Sequence, residues 1–274
     1  MNPLNDKIAR HYTHGSLGSA LLETLAERAT LPPEALIALL GAVDEFHVGG
    51  RAATLALADT LALHPGQTVL DIGCGLGGTA RLLATRHNVR VTGIDLTAEY
   101  VEVGNHLNAR LGLAGQIELV CGNALALPFA PRGFDAATLL HVGMNIADKA
   151  ALFGQIARTL KPGGQLAIYD IMRTGAGALT YPLPWAGEDT VSFVEDPFAY
   201  RRALLAAGFV VDSETNGREP ALAFFSAMKA RPGPAPALGL PLLMGADARQ
   251  KLANIGAQIA TGLIAPVQIL AHLP

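Results

Sequence analysis

A chain of 274 residues, half of them hydrophobic, carries enough apolar side chain for one large core, and α/β domains of this length often fold as single units. Its 20 basic and 23 acidic residues leave a net charge of −3, and no run of Lys or Arg occurs, so the electrostatic footprint of a nucleic-acid binder is missing. Two cysteines, Cys74 and Cys121, supply neither a disulfide framework nor a multi-cysteine metal site; with no signal-peptide pattern at the N-terminus, they fit a reducing cytoplasm.

Residues 1–60 read as a helical cover, with helices expected around Ser19–Ala29 and Pro33–Leu40, followed by Asp44-Glu45-Phe46-His47-Val48-Gly49-Gly50. Thr68, Val69, Leu70 and Ile72 then form a short apolar run with β-branched residues, the signature of a buried parallel strand. Gly73, Gly75 and Gly77 follow, and Ala80, Leu83 and Ala84 fall at helical spacing directly after them. The second strand, Val89 to Asp95, ends in a carboxylate, and Tyr100, Val103, Leu107 and Leu111 mark the face of the next helix. Strands are expected at Ile117–Cys121, at Phe134–Leu140 and, after a helix bearing Leu152 and Ile156 and a turn at Leu160–Gly164, at Gln165–Asp170. Asp196-Pro197 has the cap chemistry of a helix start, and Gly208 ends that helix. Two closing strands are expected around Phe209–Ser213 and Ala221–Met228. Arg231–Pro236 reads as a stiff linker. The helix beyond it carries a stripe of Leu252, Ile255 and Ile259, read as packing. Ile255–Leu273 is interrupted by Gln258, Gly262, Pro266 and Gln268, so it reads as a packed helix and tail, and no membrane span is expected.

Three glycines between a strand and a helix let the backbone turn tightly and let a ligand approach the amides and the positive end of the helix. The turn fits two cofactor classes, because Gly73, Gly75 and Gly78 satisfy G-x-G-x-x-G, and Gly73, Gly75 and Gly77 satisfy G-x-G-x-G. Asp95 stands where nucleotide folds hold ribose hydroxyls and fits either class. Gly122-Asn123-Ala124 and the Leu160–Gly164 turn are not expected of a dinucleotide enzyme.

Taken together, Asp71–Gly77, Asp95, Gly122–Ala124, Phe134-Asp135 and Leu160–Gly164 resemble the ordered motifs of class I S-adenosylmethionine-dependent methyltransferases, over about residues 45 to 230. The resemblance implies a Rossmann-like α/β three-layer sandwich, with a mostly parallel seven-stranded sheet and a final antiparallel hairpin. Around it the expected layout is the N-terminal cover (1–60), the core (61–230, with a substrate-side insertion at 173–195), and a linker and C-terminal helix (231–274). The implied cofactor is S-adenosyl-L-methionine, leaving as S-adenosyl-L-homocysteine. Asp71 would reach its amino group; Gly73, Cys74, Gly75 and Gly77 would lie against it; Asp95 and Leu96 would meet the ribose, and Asn123 and Ala124 the adenine. Asn123 departs from the Asp usual in the family. The Asp44–Gly50 stretch resembles one found in enzymes methylating sarcosine, dimethylglycine, quinols or tocopherols, which brings His47 toward the site; Tyr12 would close over the sulfonium.

Ligands of open α/β sheets sit beyond the carboxyl ends of the strands, where the fourth strand delivers His141 and then Asn145. His141 is the expected contact to the acceptor and base, and it also borders the cofactor. Tyr181 and Trp185, in a proline-rich aromatic insertion, and Arg173 complete the expected acceptor side, with no metal. Cys74 reads as a small residue at a tight turn and Cys121 as a buried hydrophobe. The expected reaction is in-line methyl transfer to N, C or O of a small, partly apolar molecule. An NAD(P)-dependent oxidoreductase and a non-catalytic cofactor-binding subunit are the alternatives, and oligomeric state is left open.

Overall fold

Seven strands, β1 (Thr68–Ile72), β2 (Arg90–Asp95), β3 (Ile117–Cys121), β4 (Phe134–Leu140), β5 (Leu160–Arg173), β6 (Val210–Asn216) and β7 (Ile264–His272), form one sheet in the computed structural model, in the order β3-β2-β1-β4-β5-β7-β6. The structure describes residues 3–13, 21, 23, 27, 28, 30–230, 239 and 241–274; most of the helix expected at Ser19–Ala29 and all of the Arg231–Pro236 linker lie outside them. The pairs β1·β2, β1·β4, β2·β3 and β4·β5 are parallel, while β7 runs antiparallel to both β5 and β6. Val69, Leu70, Ile72, Ala137, Leu139 and Ile168 are fully buried, the apolar filling that a sheet covered on both faces demands.

Helices α4 (Gly78–His87), α5 (Ala98–Arg110), α6 (Lys149–Thr159) and α7 (Pro197–Ala206) supply that cover. The expected faces hold: Tyr100, Val103, Leu107 and Leu111 are buried, as are Leu152, Ile156 and Leu160. Asp196 accepts the Ala199 N–H at 2.7 Å to start α7, and Gly208 follows its end with φ 92°. Among the described residues three more helices precede the sheet: α1 (Pro3–Tyr12), α2 (Pro33–Asp44) and α3 (Gly50–Ala58). Only the second of these was expected.

The end of the chain corrects the expectation. Ala221–Met228 is helical within α8 (Arg218–Ala230), and α9 (Pro241–Met244) and α10 (Ala248–Ala260) follow; the last strand is β7, in the stretch read as a helix and tail. Gly262, at φ 76°, ends the helical stretch, and Ile264, Ala265, Val267, Ile269 and Ala271 are buried between two strands. Pro266 is tolerated there because its carbonyl, which accepts from Gly217, faces the β6 side just past the last β6·β7 pair at Val267, where no ladder N–H is needed. The final antiparallel pair of the sheet is present as expected, β6 against β7, but its second strand comes 47 residues after the first, beyond α8 to α10. Cys121 is exposed at the end of β3 rather than buried, whereas Cys74 is buried.

Candidate active site

The order of the sheet reverses between β1 and β4, and a cavity of about 360 Å³ opens at the carboxyl ends of β1, β2 and β4. Its floor is the glycine turn. Gly73, Gly75 and Gly77 have φ of 68°, 52° and 85°, a region that favours glycine, and a Cβ on Gly73 would stand 2.1 Å from a methyl of Val142. The Gly73 and Cys74 amides donate to the Ile94 carbonyl, at 2.8 and 3.1 Å, and the Gly75 amide donates to Asp95 Oδ2 at 2.9 Å. These three amides are thus already engaged within the protein. Gly77 stands back from the cavity wall, in a correction to its expected contact; its part is to take the left-handed conformation that opens α4.

Two carboxylates face this space in different ways. Asp71 is buried; its Oδ1 accepts from Thr138 Oγ at 2.7 Å, and its Oδ2 has no partner. Burial pushes its pKa up to about 7, against the lowering by the Thr138 bond. Asp95 uses one oxygen on the Gly75 amide and the other on the Thr97 amide, at 2.8 Å, and its pKa is also raised by burial despite those bonds. Leu96, Asn123 and Ala124 line the same wall. Asn123 Oδ1 already accepts the Leu125 N–H at 2.9 Å, capping a short 3₁₀ turn, so the departure from Asp has a local structural use as well.

A second, apolar compartment of about 40 Å³ adjoins the first, and Tyr12, Phe46, His47 and His141 line both. Its other walls are Val48, Met144 and Trp185, with Phe224, Phe225, Met244, Leu252 and Ile255 from the excursion between β6 and β7. The Leu252–Ile255 stripe, read from sequence as packing, therefore borders the compartment. His141 sits at φ 54° beyond β4, stacks on Tyr169 with centroids 5.4 Å apart and meets the His47 ring edge at 5.8 Å; its Nε2 is buried without a partner. Burial, and then the neighbouring His47, hold its pKa well below the ordinary value, so the ring is neutral at pH 7.

Tyr12 hangs from α1 over the junction of the two spaces, its hydroxyl donating to Asn145 Oδ1 at 3.1 Å, and burial keeps it un-ionised. Asn145 in turn donates to the Trp185 carbonyl at 3.0 Å, and Trp185 Nε1 donates to Ser192 Oγ at 2.9 Å. The short turn bearing Asn145 rests on a buried set in which Tyr200 donates to Asp170 at 2.7 Å and Lys149 donates to the Ile146 and Phe193 carbonyls. Tyr181 and Arg173 line neither cavity. Tyr181 packs at the edge of the apolar cluster around Trp185, and Arg173, the last residue of β5, donates to the Gly177 carbonyl at 2.6 Å.

Sequence reasoning missed Glu45 and Thr54, which join His47 in a buried polar cluster, and Thr138, the buried polar side chain of β4. It also missed Leu4, Asn5 and Ile8 of α1, which form the roof of the larger cavity. Among the described residues, no group of three His, Cys, Asp or Glu is placed to hold a metal ion, and no helix is long and apolar enough to cross a membrane.

Residues 69–164 match the family described as a methyltransferase domain. An O-methyltransferase of Aspergillus nomiae is 34% identical over 128 residues, 47% of this chain and 57% of that protein. A 24-methylenesterol C-methyltransferase of Oryza sativa subsp. japonica is 35% identical over 118 residues, 43% of this chain and 32% of the relative. The chain thus spans about half or less of the curated relatives it matches. Among solved structures, geranyl diphosphate C-methyltransferase from Streptomyces coelicolor A3(2), in complex with Mg²⁺, geranyl-S-thiolodiphosphate and S-adenosyl-L-homocysteine, superposes with a TM-score of 0.73. That alignment covers 100% of this chain and 99% of the other, at 19% identity. A sarcosine dimethylglycine methyltransferase from Galdieria sulphuraria gives 0.66, covering 80% and 84%, at 20% identity. The fold is that of class I methyltransferases.

Proposed function

We propose that this chain, whose residues 69–164 form a methyltransferase domain, transfers a methyl group from S-adenosyl-L-methionine to N, C or O of a small, partly apolar molecule. One observation carries the choice of cofactor. The cavity wall contains Asp71, Asp95 and Asp148, together with Asp44, which is paired with the buried Arg81 behind it, and has no Lys or Arg of its own; the Gly73, Cys74 and Gly75 amides are spent on Ile94 and Asp95. Such a site suits a ligand bearing an ammonium and a sulfonium. It repels the pyrophosphate of a dinucleotide, which weighs against an NAD(P)-dependent oxidoreductase.

The residues fit the group. The unpartnered Oδ2 of Asp71 is where an ammonium completes a buried carboxylate. Asp95 retains lone pairs for hydroxyls, and Asn123, Ala124 and Leu125 offer a flat wall. Once bound, the cofactor supplies a methyl group activated by a sulfonium. The protein's share is to hold an acceptor in line with that methyl and to keep water out, which positioning alone does to good effect. Tyr12, Phe46, His47 and His141, shared by the two compartments, form the passage, with Trp185, Phe224 and Phe225 as the apolar bed. A cytoplasmic setting and an acceptor that is neither nucleic acid nor membrane belong to the same proposal.

The test is incubation with methyl-labelled S-adenosyl-L-methionine and a panel of phenols, amines, fatty and isoprenoid alcohols and sterols. Label should move to at least one acceptor, with S-adenosyl-L-homocysteine formed in equal amount. Tight cofactor binding with no transfer to any acceptor would instead support a non-catalytic binding subunit.

A further inference from the structure

Behind His47 lies a carboxylate that neither cavity explains. Glu45 is buried, its Oε2 accepts from the Thr54 hydroxyl at 2.5 Å, and its Oε1 has no hydrogen-bond partner. The Thr54 oxygen is in turn 2.9 Å from His47 Nε2, and the Gly50 carbonyl is 3.2 Å from the same nitrogen. A carbonyl only accepts, and the single hydroxyl proton of Thr54 is given to Glu45, so both neighbours require that Nε2 carry the ring proton. The free lone pair of His47 is then on Nδ1, on a ring that lines both cavities.

We propose that Glu45, acting through Thr54, is a positioning residue that fixes His47 with Nε2 protonated, so that Nδ1 accepts the proton of an O–H or N–H acceptor as it is methylated. This rests on the methyl-transfer reading. In the step the acceptor's lone pair forms the new bond to carbon and the S–CH₃ pair stays on sulfur. The acceptor's X–H pair stays on X, and its proton passes to Nδ1. The imidazolium so formed lies with Nε2 at 3.6 Å from Glu45 Oε2. Burial holds His47 neutral beforehand, its pKa pushed down to about 4, and pushes Glu45 up to about 7, with the charge of Asp44 adding to the rise. Arg51, 3.8 Å from Oε1, and Arg81, paired with Asp44 at 2.6 Å, oppose it, and His141 is the other titratable ring against His47.

The arrangement makes the tautomer of His47 depend on Glu45. An ionised Glu45 takes the Thr54 proton; a protonated one frees that proton to compete for Nε2, leaving the Gly50 carbonyl at 3.2 Å as the one neighbour that still holds the ring proton there, so the Nδ1-protonated fraction grows. Long-range nitrogen–proton NMR on ¹⁵N-histidine protein saturated with S-adenosyl-L-homocysteine reads this directly, with His47→Gln for assignment. At about pH 8 the Nε2-protonated form should dominate, and the Nδ1-protonated fraction should grow severalfold below about pH 7. Glu45→Gln and Thr54→Val should abolish that pH dependence, and Thr54→Ser should keep it. A dominant Nδ1-protonated ring in wild type at pH 8, or an unchanged pH dependence in Glu45→Gln, would overturn the proposal. Calorimetry on the same samples separates the two claims: no binding of S-adenosyl-L-homocysteine sinks the methyl-transfer reading whatever the tautomer.

Discussion

The two halves of the site are built on different principles. The half proposed to hold the cofactor is made by residues close in sequence at adjoining strand ends, Asp71 to Gly75 and Asp95 to Thr97, where backbone amides and short carboxylates are fixed by local geometry. The half proposed for the acceptor is assembled from three distant stretches: the cover, through Tyr12 of α1 and Phe46–Val48, the His141–Trp185 region, and the excursion from α8 to α10. It offers apolar and neutral aromatic surface with no Lys or Arg. Local hydrogen-bond geometry tolerates little change, whereas apolar lining can be exchanged with modest loss as long as volume is kept.

Substitutions that break the first half should therefore cost cofactor affinity steeply, and those in the second should leave it nearly intact. Gly73→Ala should have the largest effect, because it forces a Cβ into Val142 at a left-handed backbone position. Loss of more than about 100-fold in S-adenosyl-L-homocysteine affinity by calorimetry, with destabilisation of about 2–4 kcal/mol in denaturant unfolding, is expected. Asp95→Ala frees the Gly75 and Thr97 amides along with the hydroxyl contact and should weaken cofactor binding roughly 10- to 100-fold. Equal affinity in wild type and this variant would remove Asp95 from the ribose.

The pH dependence comes next in size. Asp71 and Glu45, raised to about 7, and Asp170, raised to about 6, hold protons more tightly in the folded than in the unfolded chain. Their contribution to stability is thus fully present below the unfolded value of about 4 and is lost as pH rises through about 6 to 7. The buried neutral His47 and His141 act in the opposite sense, so the carboxylate contribution is read as a smaller fall in melting temperature from about pH 5.5 to about pH 8 in Asp71→Asn than in wild type, both ligand-free, and a ligand ammonium beside ionised Asp71 should offset part of the wild-type fall. Cofactor affinity should accordingly rise severalfold from about pH 6 to about pH 8. Phe224→Ala should act least on the cofactor, within about twofold, while raising the acceptor KM. An equal loss in both would erase the distinction between the halves.

The same contrast explains what the sequence disclosed. A strand, three glycines and a carboxylate twenty-odd residues on are local patterns with local causes, so Asp71, Gly73, Asp95 and Asn123 were legible. His141 was placed by topology, since a residue beyond the fourth strand must face the switch point. Tyr181 and Arg173 were misplaced because nothing in an irregular insertion says which side chains turn inward; Trp185 went in and Tyr181 stayed at the cluster's rim. β7 was hidden by its own sequence: Gln268 and Pro266 make an apolar stretch look like an interrupted helix, and only pairing on both sides by β5 and β6 makes it a strand. Glu45 and Thr54 gave no signal, because a buried carboxylate nine residues from its hydroxyl donor has no spacing rule.

The central claim is that an acidic cavity, with its turn amides already spent, selects a cationic adenosyl cofactor through Asp71. Calorimetric titration of wild type and Asp71→Asn with S-adenosyl-L-methionine at about pH 8 tests it most directly. One-to-one binding by wild type and a loss of more than about tenfold in the variant are predicted, since a buried charge-assisted hydrogen bond is worth at least about 1.5 kcal/mol. Equal binding by the two proteins, or binding of NAD(P) in place of S-adenosyl-L-methionine, would contradict it.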